Sequence, residues 1–496
     1  MPEKLLDTLP EAFVSTKTTS AAVSRAVKAG ELRKLASRLY TRNLTDAPET
    51  VVRRNLWQIV GGYFPNALIA DRTALENAPA ADGSVCLVTQ TEADIQLPGI
   101  ILRPRRGAGP LPSDRPFIGG LSLSSTARAY LENMKPSRAR GGAMARTLSQ
   151  HDIEDRLDTM LRRSGESALN RLRDDVRDIA HSLELEAEAR RLDDLIGTLL
   201  GTRNVPVVSP AARARQQGRA YDSERLTLFE RLHQALRNHP PVTRLAKARS
   251  HDGQATLPFF EAYFSNFIEG TEFEVDEAAD IVFKGVIPVG RPEDAHDVLG
   301  TYRVVADTAD LSRLPARFPD LIASLRRRHA TVMESRPDKL PGQFKAQGNR
   351  AGSTVFVPPE LVEGTLEQGF ALYRSLETPF ARAVFMMFLV TEVHPFADGN
   401  GRIARIMMNA ELIATGEERI IIPTVYRSNY LSALKALSQT GHPEPIIRTL
   451  DYAQRWTAAV DWGELSATRR QLDKCNAFRD SVEADEEGVR LKMPVD

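Results

Sequence analysis

The spacing of hydrophobic and polar positions changes several times along the chain and predicts several kinds of segment. Residues 50–130 alternate short β-like runs with turns, whereas residues 138–203 show helical spacing and many charges of both signs. Residues 205–219 have the composition of a connector. From about 221 to 460 the spacing is helical almost throughout, interrupted by one β-like hairpin at 344–357. The pattern predicts a mainly α protein with a small α+β part near its N-terminus.

A heptad seam lies within the charged helical segment. It covers about two heptads, fewer than the three or four that argue for a coiled coil. We therefore expect a helical hairpin that packs within the chain. The seam residues are Leu169, Leu172, Val176, Ile179 and Leu183.

The first 50 residues have a charge pattern of their own. Between Ser15 and Leu44 there are seven basic residues and a single acid, Glu31. A predicted helix at 20–29 is followed by a turn and strand at 32–40, an order typical of a winged helix-turn-helix. We expect Arg25 and Lys28 on this helix to contact double-stranded DNA. A protein-contact module, or a basic face that is merely solvated, fits the same pattern.

Composition limits the class of protein. The 496 residues are 42% hydrophobic and 26% charged, and 65 basic side chains balance 65 acidic ones, which excludes a uniformly basic nucleic-acid coat. Two cysteines, Cys86 and Cys475, exclude a disulfide framework and favour a reducing cytoplasm. The longest apolar run, at 383–390, is too short to span a membrane, and residues 1–13 lack the pattern of a signal peptide. We expect a soluble, cytoplasmic, multidomain protein.

One stretch combines several chemical functions: His394-Pro-Phe-Ala-Asp-Gly-Asn-Gly-Arg-Ile-Ala-Arg405. It lies between an apolar helix predicted for 380–393 and a second helix predicted for 402–415. Backbone N–H groups at the start of the second helix favour an anion, and Asp398 can hold a divalent cation through oxygen. His394 can accept a proton near neutral pH. These parts suit phosphoryl or nucleotidyl transfer, in which positioning and charge neutralisation supply most of the catalysis.

The stretch resembles the signature of the Fic (Fido) family: HPF, any residue, Asp or Glu, GNGR, two residues, Arg. The resemblance covers residues about 221–460 and implies an all-helical bundle that transfers AMP from ATP to a protein hydroxyl. It implies that His394 is the general base, that Phe396 anchors the loop and that Asp398 coordinates Mg²⁺. It further implies that the nucleotide phosphates are held by Gly399, Asn400, Gly401, Arg402 and Arg405. The Doc-like kinases of this family carry Lys at the position of Gly401, so the glycine favours nucleotidyl transfer.

Two further segments fit the same family. Residues 340–359 look like its flap hairpin, which docks the target segment by strand addition; a simple surface hairpin is the alternative. Downstream, Val425, Asn429 and Tyr430 lie where the family lines its adenine pocket, although a Tyr at helical spacing is more often part of a core.

The segment Ser265-Asn-Phe-Ile-Glu269-Gly270 resembles the inhibitory motif of the family. Ser265 and Glu269 are four residues apart and share one face of a helix that Gly270 would end. The resemblance places Glu269 against Arg405, where its carboxylate competes with the ATP γ-phosphate. A role confined to helix stability is the alternative.

The remaining histidines form no metal-binding pattern, so we expect no protein zinc site. The run Arg326-Arg-Arg-His329 is predicted to be a solvated helix face. Four stretches of the first 130 residues carry less specific patterns: residues 19–30, 31–42, 97–107 and 121–131. Through them the N-terminal region resembles AbiEi-type antitoxins and related regulators.

The sequence thus predicts a self-inhibited protein adenylyltransferase that takes ATP and Mg²⁺ and acts on a protein hydroxyl, without a membrane partner. The alternatives are a DNA-binding or antitoxin-like regulator whose domain senses nucleotide, and an enzyme that removes AMP from modified proteins. A homodimer is compatible with all three functions. The predicted parts are a winged helix-turn-helix at 1–50, an α+β AbiEi-like region at 51–135, a charged helical segment at 136–204, the Fic domain at 221–460 and a helical, charged tail at 461–496.

Overall fold

The structure of the chain is a computed structural model that describes residues 9–139, 142–352 and 354–494. It divides into two compact units, Met1–Gly218 and Arg219–Asp496. The division falls inside the connector predicted at 205–219. No helix in the described ranges is both long and apolar enough to cross a membrane.

The first unit begins with a three-stranded antiparallel sheet and one helix. The sheet has the order β1-β3-β2, and Phe13, Val23 and Leu32 form a small core beneath the helix. A helix-turn-helix needs two helices, and the structure describes one between residues 9 and 47, while residues 1–8 lie outside the described residues. The winged helix-turn-helix therefore stays a prediction. These elements are β1 (Ala12–Val14), α1 (Ser20–Lys28), β2 (Arg33–Ala36) and β3 (Leu39–Thr41).

A six-stranded mixed sheet follows, with the order β6-β7-β5-β4-β9-β8. The pairs β5–β7 and β4–β9 are parallel, and the other neighbours are antiparallel. This is the α+β region that alternating runs predicted. Its strands are β4 (Leu68–Ile69), β5 (Ser84–Val88), β6 (Ile95–Leu97), β7 (Ile100–Arg105), β8 (Arg115–Phe117) and β9 (Leu121–Leu123), and its helices are α2 (Pro48–Arg54), α3 (Leu56–Tyr63), α4 (Asp71–Glu76) and α5 (Thr126–Asn133).

Helices α6 (Gln150–Ser164), α7 (Glu166–Ala180), α8 (Glu186–Leu199) and α9 (Pro210–Gln216) complete the first unit. Leu169, Leu172 and Val176 of the seam are buried against the neighbouring helices of the same chain, as expected. The predicted connector is wrong where α9 forms. Ser209 caps that helix by accepting a hydrogen bond from the Ala212 N–H, and proline at its first position is already set for helical φ.

The second unit is helical apart from one two-stranded hairpin within its described residues, which confirms the predicted fold class. Its helices are α10 (Ser223–Arg237), α11 (His251–Ile268), α12 (Val275–Lys284), α13 (Pro292–Ala306), α14 (Thr308–Leu311), α15 (Phe318–Val332), α16 (Val362–Tyr373), α17 (Pro379–Val393), α18 (Asn400–Ile413), α19 (Arg427–Thr440), α20 (Glu444–Ala459), α21 (Leu465–Lys474) and α22 (Ser481–Glu486), and its strands are β10 (Arg350–Ala351) and β11 (Thr354–Val355).

Helix α17 lies at the centre of this unit. Its apolar side chains point in every direction and nearly all are buried, as expected of a helix surrounded by others. Helix α18 packs along it, and the two share one hydrophobic core. The loop between them is therefore held at both ends by the most buried part of the unit.

The segment at 461–496 is more than a charged tail. Trp462 and Leu472 are buried in a second core against Phe260 and Phe264 of α11. The charged side chains that dominate this stretch occupy its outer face. Apolar positions this sparse gave no clear periodic signal, which is why the sequence pattern understated their burial.

Candidate active site

The motif loop, His394–Gly399, connects α17 to α18 through two residues in the left-handed region. His394 has a φ of 53° and Gly399 a φ of 72°. A non-glycine residue in this conformation costs energy and persists only where its surroundings fix it. The buried helices on both sides supply that constraint, so the loop presents its side chains in one arrangement.

His394 is arranged to accept a proton. Its Nδ1–H donates a hydrogen bond to the Thr391 carbonyl at 3.2 Å, which leaves Nε2 as the basic nitrogen. The ring stacks on Phe356, with centroids 3.7 Å apart and planes inclined by 6°. Burial lowers the pKa of His394 to about 4, and the nearby positive charge of Lys345 acts in the same direction. The imidazole is therefore neutral at pH 7 and can act as a base.

Asn400 holds the motif loop closed. Its Oδ1 accepts from the Phe396 N–H at 2.8 Å, and its Nδ2 donates to the Phe396 carbonyl at 2.9 Å. Phe396 is fully buried. Both ends of the Asn400 side-chain amide are thus used within the loop. The group of Asn400 that remains for the expected phosphate contact is its backbone N–H at the start of α18.

The start of α18 has free backbone N–H groups, and a carboxylate of the same chain lies beside it. The first N–H groups of a helix have no partner within it and attract negative charge. A Cβ built on Gly401 would lie 2.1 Å from Oε1 of Glu269. The carboxylate therefore fills the space that the missing side chain of Gly401 leaves open.

Arg405 is held by the predicted inhibitory motif. Its Nε donates to Ser265 Oγ at 3.0 Å, and its Nη2 donates to the Ser265 carbonyl at 2.8 Å and to Glu269 Oε1 at 2.7 Å. Gly270, with a φ of 90°, follows the end of α11. Ser265, Glu269 and Gly270 thus stand at the C-terminal end of one helix, with the first two in contact with the second motif arginine.

Arg402 is also buried, and it faces a different carboxylate. Its Nη1 lies 2.9 Å from Asp297 Oδ2, and Asp297 also accepts from Nε of Arg336 at 2.9 Å. Among the described residues, Nε of Arg402 has no hydrogen-bond partner. A buried donor without a partner is costly, and a phosphate oxygen would satisfy it.

Asp398 has the character of a Mg²⁺ ligand. Its side chain is 46% exposed, and Oδ1 accepts from the Gly399 N–H at 2.6 Å. The described residues contain no group of three or more His, Cys, Asp or Glu side chains that could hold a metal by themselves. A single carboxylate fits Mg²⁺, which keeps waters and shares its coordination with substrate phosphates.

The flap segment, residues 340–359, is tied to the motif loop. The Lys345 N–H donates to the Pro395 carbonyl at 2.9 Å, and Nδ2 of Asn349 donates to the Phe396 carbonyl at 3.0 Å. Lys345 Nζ donates to Oδ1 of Asn349 at 2.6 Å. Burial lowers the pKa of Lys345 to about 8. These ties place the exposed hairpin of β10 and β11 beside His394.

Several site residues were missed or misjudged from the sequence. Arg328 and His329 are buried, so the predicted solvated face is wrong at these positions. Spacing of three and four residues from Leu325 places both on the apolar side of α15, which was the available signal. Asp297 and Lys345 gave no local signal, because their partners come from distant parts of the chain.

The three residues predicted to line an adenine pocket differ in burial. Val425 and Tyr430 are buried, and the Tyr430 hydroxyl donates to Sδ of Met387 at 3.4 Å. Asn429 is exposed. Tyr430 belongs to the hydrophobic core, and its role in an adenine pocket stays a prediction.

In the first unit, Arg25 and Lys28 lie in the last turn of α1 and are both exposed. The buried side of the same helix carries Val23 and Ala26. The two cations are therefore available to a partner outside the unit.

Comparisons with known proteins point to one family. A family model described as Fic/DOC matches residues 321–412. A Fido domain-containing protein of Dictyostelium discoideum is 31% identical over 99 residues, which are 19% of this chain and 69% of that protein. Protein adenylyltransferase Fic of Drosophila willistoni is 26% identical over 250 residues, 47% of this chain and 48% of the relative. This chain thus spans about half the length of the Drosophila protein.

Among solved structures, a fragment of Fic-1 from C. elegans aligns with 67% of this chain and 96% of the fragment. The sequence identity is 16% and the TM-score is 0.36.

Proposed function

Because this chain belongs to the Fic/DOC family, we propose that it transfers AMP from ATP to a protein hydroxyl, and that its own Glu269 restrains the reaction. One observation carries the proposal. A neutral His394, with Nε2 as its basic nitrogen, stands beside a helix N-terminus that is flanked by two buried arginines. Matched relatives that are named protein adenylyltransferases support the same chemistry.

In this mechanism, Nε2 of His394 takes the proton of a Ser, Thr or Tyr hydroxyl on the target. The hydroxyl oxygen attacks the α-phosphorus of ATP, the bond to the β-phosphate oxygen breaks, and pyrophosphate leaves with its electron pair. Backbone N–H groups at the start of α18 hold the phosphates, together with Arg402 and Arg405. Asp398 would hold Mg²⁺, which supplies charge neutralisation when bound.

The flap segment is the proposed docking place for the target. Arg350 and Ala351 of β10 are exposed, and Val355 of β11 is 66% exposed. An extended peptide can add to such a hairpin edge by main-chain hydrogen bonds. The stacking of Phe356 on His394 would bring the hydroxyl of a docked residue close to the base.

The contacts of Glu269 support the proposed self-inhibition. Its carboxylate lies next to Gly401 and pairs with Arg405, so it uses the positive charge that a triphosphate needs. ATP must displace this pair before its phosphates can settle on α18.

A DNA-binding role for the first unit is the second proposed function. The exposed positions of Arg25 and Lys28 on one short helix support it. Phosphate contacts from such cations would give affinity without sequence information of their own.

The test of adenylyl transfer uses the full chain carrying Glu269→Gly, incubated with Mg²⁺, cell lysate and ATP labelled at either the α- or the γ-phosphate. Protein labelled from α-labelled ATP alone is the expected result, and label from γ-labelled ATP would indicate phosphoryl transfer instead. Adding His394→Ala should remove the label, because loss of a general base costs about 10²–10⁴-fold in rate. Persistence of full labelling without His394 would overturn the assigned mechanism.

A further inference from the structure

A second histidine, His329, lies beneath the motif loop and touches it at several points. It is fully buried on α15, and its ring stacks on Phe396 with centroids 3.7 Å apart and planes inclined by 3°. Gly399 lies over the same ring, since a Cβ built there would come within 3.5 Å of Nε2 of His329. The imidazole therefore forms part of the floor on which the motif loop rests.

Both ring nitrogens of His329 are used, and they lead to different segments. Nδ1 accepts from the Gly342 N–H at 2.9 Å, so Nδ1 carries no proton. Nε2 lies 3.1 Å from the Asp398 carbonyl, which can only accept, so Nε2 carries the proton and donates it. The hydrogen-bond pattern thus defines the neutral Nε2–H tautomer without reference to any other property of the ring.

The two segments that His329 joins are the start of the flap segment and the centre of the motif loop. Gly342 packs closely on α15, where an added Cβ would lie 3.1 Å from the Arg326 carbonyl. Asp398 is the residue assigned to Mg²⁺, and its backbone position sets where its carboxylate stands. One side chain therefore connects the proposed target-docking segment with the proposed metal and nucleotide site.

We infer that His329 is a positioning residue for the transfer reaction. Its Nε2 holds Asp398 and its Nδ1 holds the flap segment, so that the metal, the nucleotide and the target are correctly placed relative to one another. The inference rests on the proposed adenylyl transfer for its kinetic consequences. Its structural part, the two separate ties, stands on the contacts alone. Misplacement of a reacting group by about 1 Å can cost about 100-fold in rate, so a tie of this kind has a measurable effect.

Two conservative variants separate the two ties. His329→Asn can present an oxygen near the former Nδ1 and keep the Gly342 contact, but it cannot reach Asp398. His329→Gln can present an N–H near the former Nε2 and keep the Asp398 contact. Both are made in the full chain with Glu269→Gly, and His233→Gln serves as the matched control. His233 also combines a hydrogen bond, to Ser375 Oγ at 2.6 Å, with a ring contact to Phe385, but neither partner belongs to the motif loop.

Label incorporation from α-labelled ATP is measured against Mg²⁺ concentration, and backbone hydrogen exchange is followed by mass spectrometry. For His329→Asn we expect kcat to fall about 10- to 100-fold, the half-saturating Mg²⁺ concentration to rise, and exchange to accelerate in residues 394–402. For His329→Gln we expect label incorporation to fall about 10- to 100-fold when the lysate protein is limiting, the half-saturating Mg²⁺ concentration to stay within about threefold of the parent, and exchange to accelerate in residues 340–345. The control should match the parent in every measurement.

Equal losses in both variants, with the same Mg²⁺ dependence and with equal losses of thermal stability, would show that His329 has only a structural role and would overturn the inference. Parent-like kcat, Mg²⁺ dependence and exchange in both variants would overturn it as well. If the Glu269→Gly parent transfers no label, the proposed function fails, and exchange still decides the positioning role. Acceleration confined to a different segment in each variant supports the role, and unchanged exchange refutes it.

Discussion

Replacing Glu269 by Gly is expected to raise adenylyl transfer, because it removes the carboxylate that competes with ATP for Arg405. In the structure Glu269 Oε1 lies 2.7 Å from Nη2 of Arg405. The arginine side chain is 5% exposed, while that of Glu269 is 33% exposed. The pair is therefore shielded on one side and open to solvent on the other.

The size of the effect follows from this geometry. A hydrogen bond to a charged group contributes about 1.5–3 kcal/mol, and each 1.4 kcal/mol is about a factor of ten in affinity. ATP in its productive position should therefore be suppressed about 10- to 150-fold in the wild type. The exposed side of Glu269 favours the lower half of that range, since water screens the pair.

The substitution should leave the fold intact. Glu269 lies just beyond Ile268, the last residue of α11, and precedes Gly270. The cost of about 1 kcal/mol for glycine inside a helix therefore does not apply in full. Glu272→Gly is the matched control, because Glu272 is an exposed acid in the following loop.

The assay compares initial rates of label incorporation, including self-modification, at equal concentrations of folded protein and subsaturating ATP. Glu269→Gln adds a second comparison. It removes the charge but keeps a side chain next to Gly401, so its rate should fall between those of wild type and Glu269→Gly. A rate for folded Glu269→Gly that is no higher than that of wild type would refute inhibition by Glu269.

Three further predictions concern the metal, the pH dependence and the first unit. Asp398→Ala should abolish transfer at ordinary Mg²⁺ concentrations, because no other carboxylate in the described residues is assigned to the cation. Asp338→Ala, which removes an exposed acid, is the control and should leave transfer unchanged. An active Asp398→Ala variant would show that another residue holds the metal. Since only the neutral ring accepts a proton and burial lowers the pKa of His394 to about 4, kcat at saturating ATP should stay level down to about pH 5 and fall below it, whereas an acid limb near the ordinary value of 6.5 would contradict the assignment. The full chain should bind duplex DNA, and the logarithm of the binding constant should fall with the logarithm of the salt concentration with a slope of about −3 to −6. Replacing Arg25 and Lys28 together by Ala should weaken binding, whereas the control Lys435→Ala should not. Unchanged affinity in the double variant would exclude α1 as the contact.

The motif loop could be anticipated because its parts are contiguous. Apolar spacing predicted the helices on either side of the loop. Glycines directly after Asp398, in the same short stretch as His394, indicated a tight turn that carries chemically active side chains. The pairing of Glu269 with Arg405 spans 136 residues and could be expected only from the resemblance to a family.

The supporting contacts could not be anticipated in the same way. Tertiary packing creates the ion pair between Asp297 and Arg402 and the hydrogen bond from Lys345 to the motif loop. The residues that it brings together share no pattern in the sequence. His329 follows three arginines in the sequence. Their charge predicted a solvent-exposed helix face, whereas the face that carries His329 is buried. Local rules describe a helix well, whereas the partner that a polar side chain finds depends on the whole fold.

The absence of a side chain at position 401 limits which substitutions this protein can accept in evolution. Any L-residue there would put a Cβ 2.1 Å from Oε1 of Glu269, closer than two such atoms can approach. The lysine that Doc-like kinases carry at this position therefore cannot enter this chain while Glu269 keeps its place. A side chain at position 401 would displace the Glu269 carboxylate, so the same substitution would change both the phosphate site and the restraint proposed for Glu269.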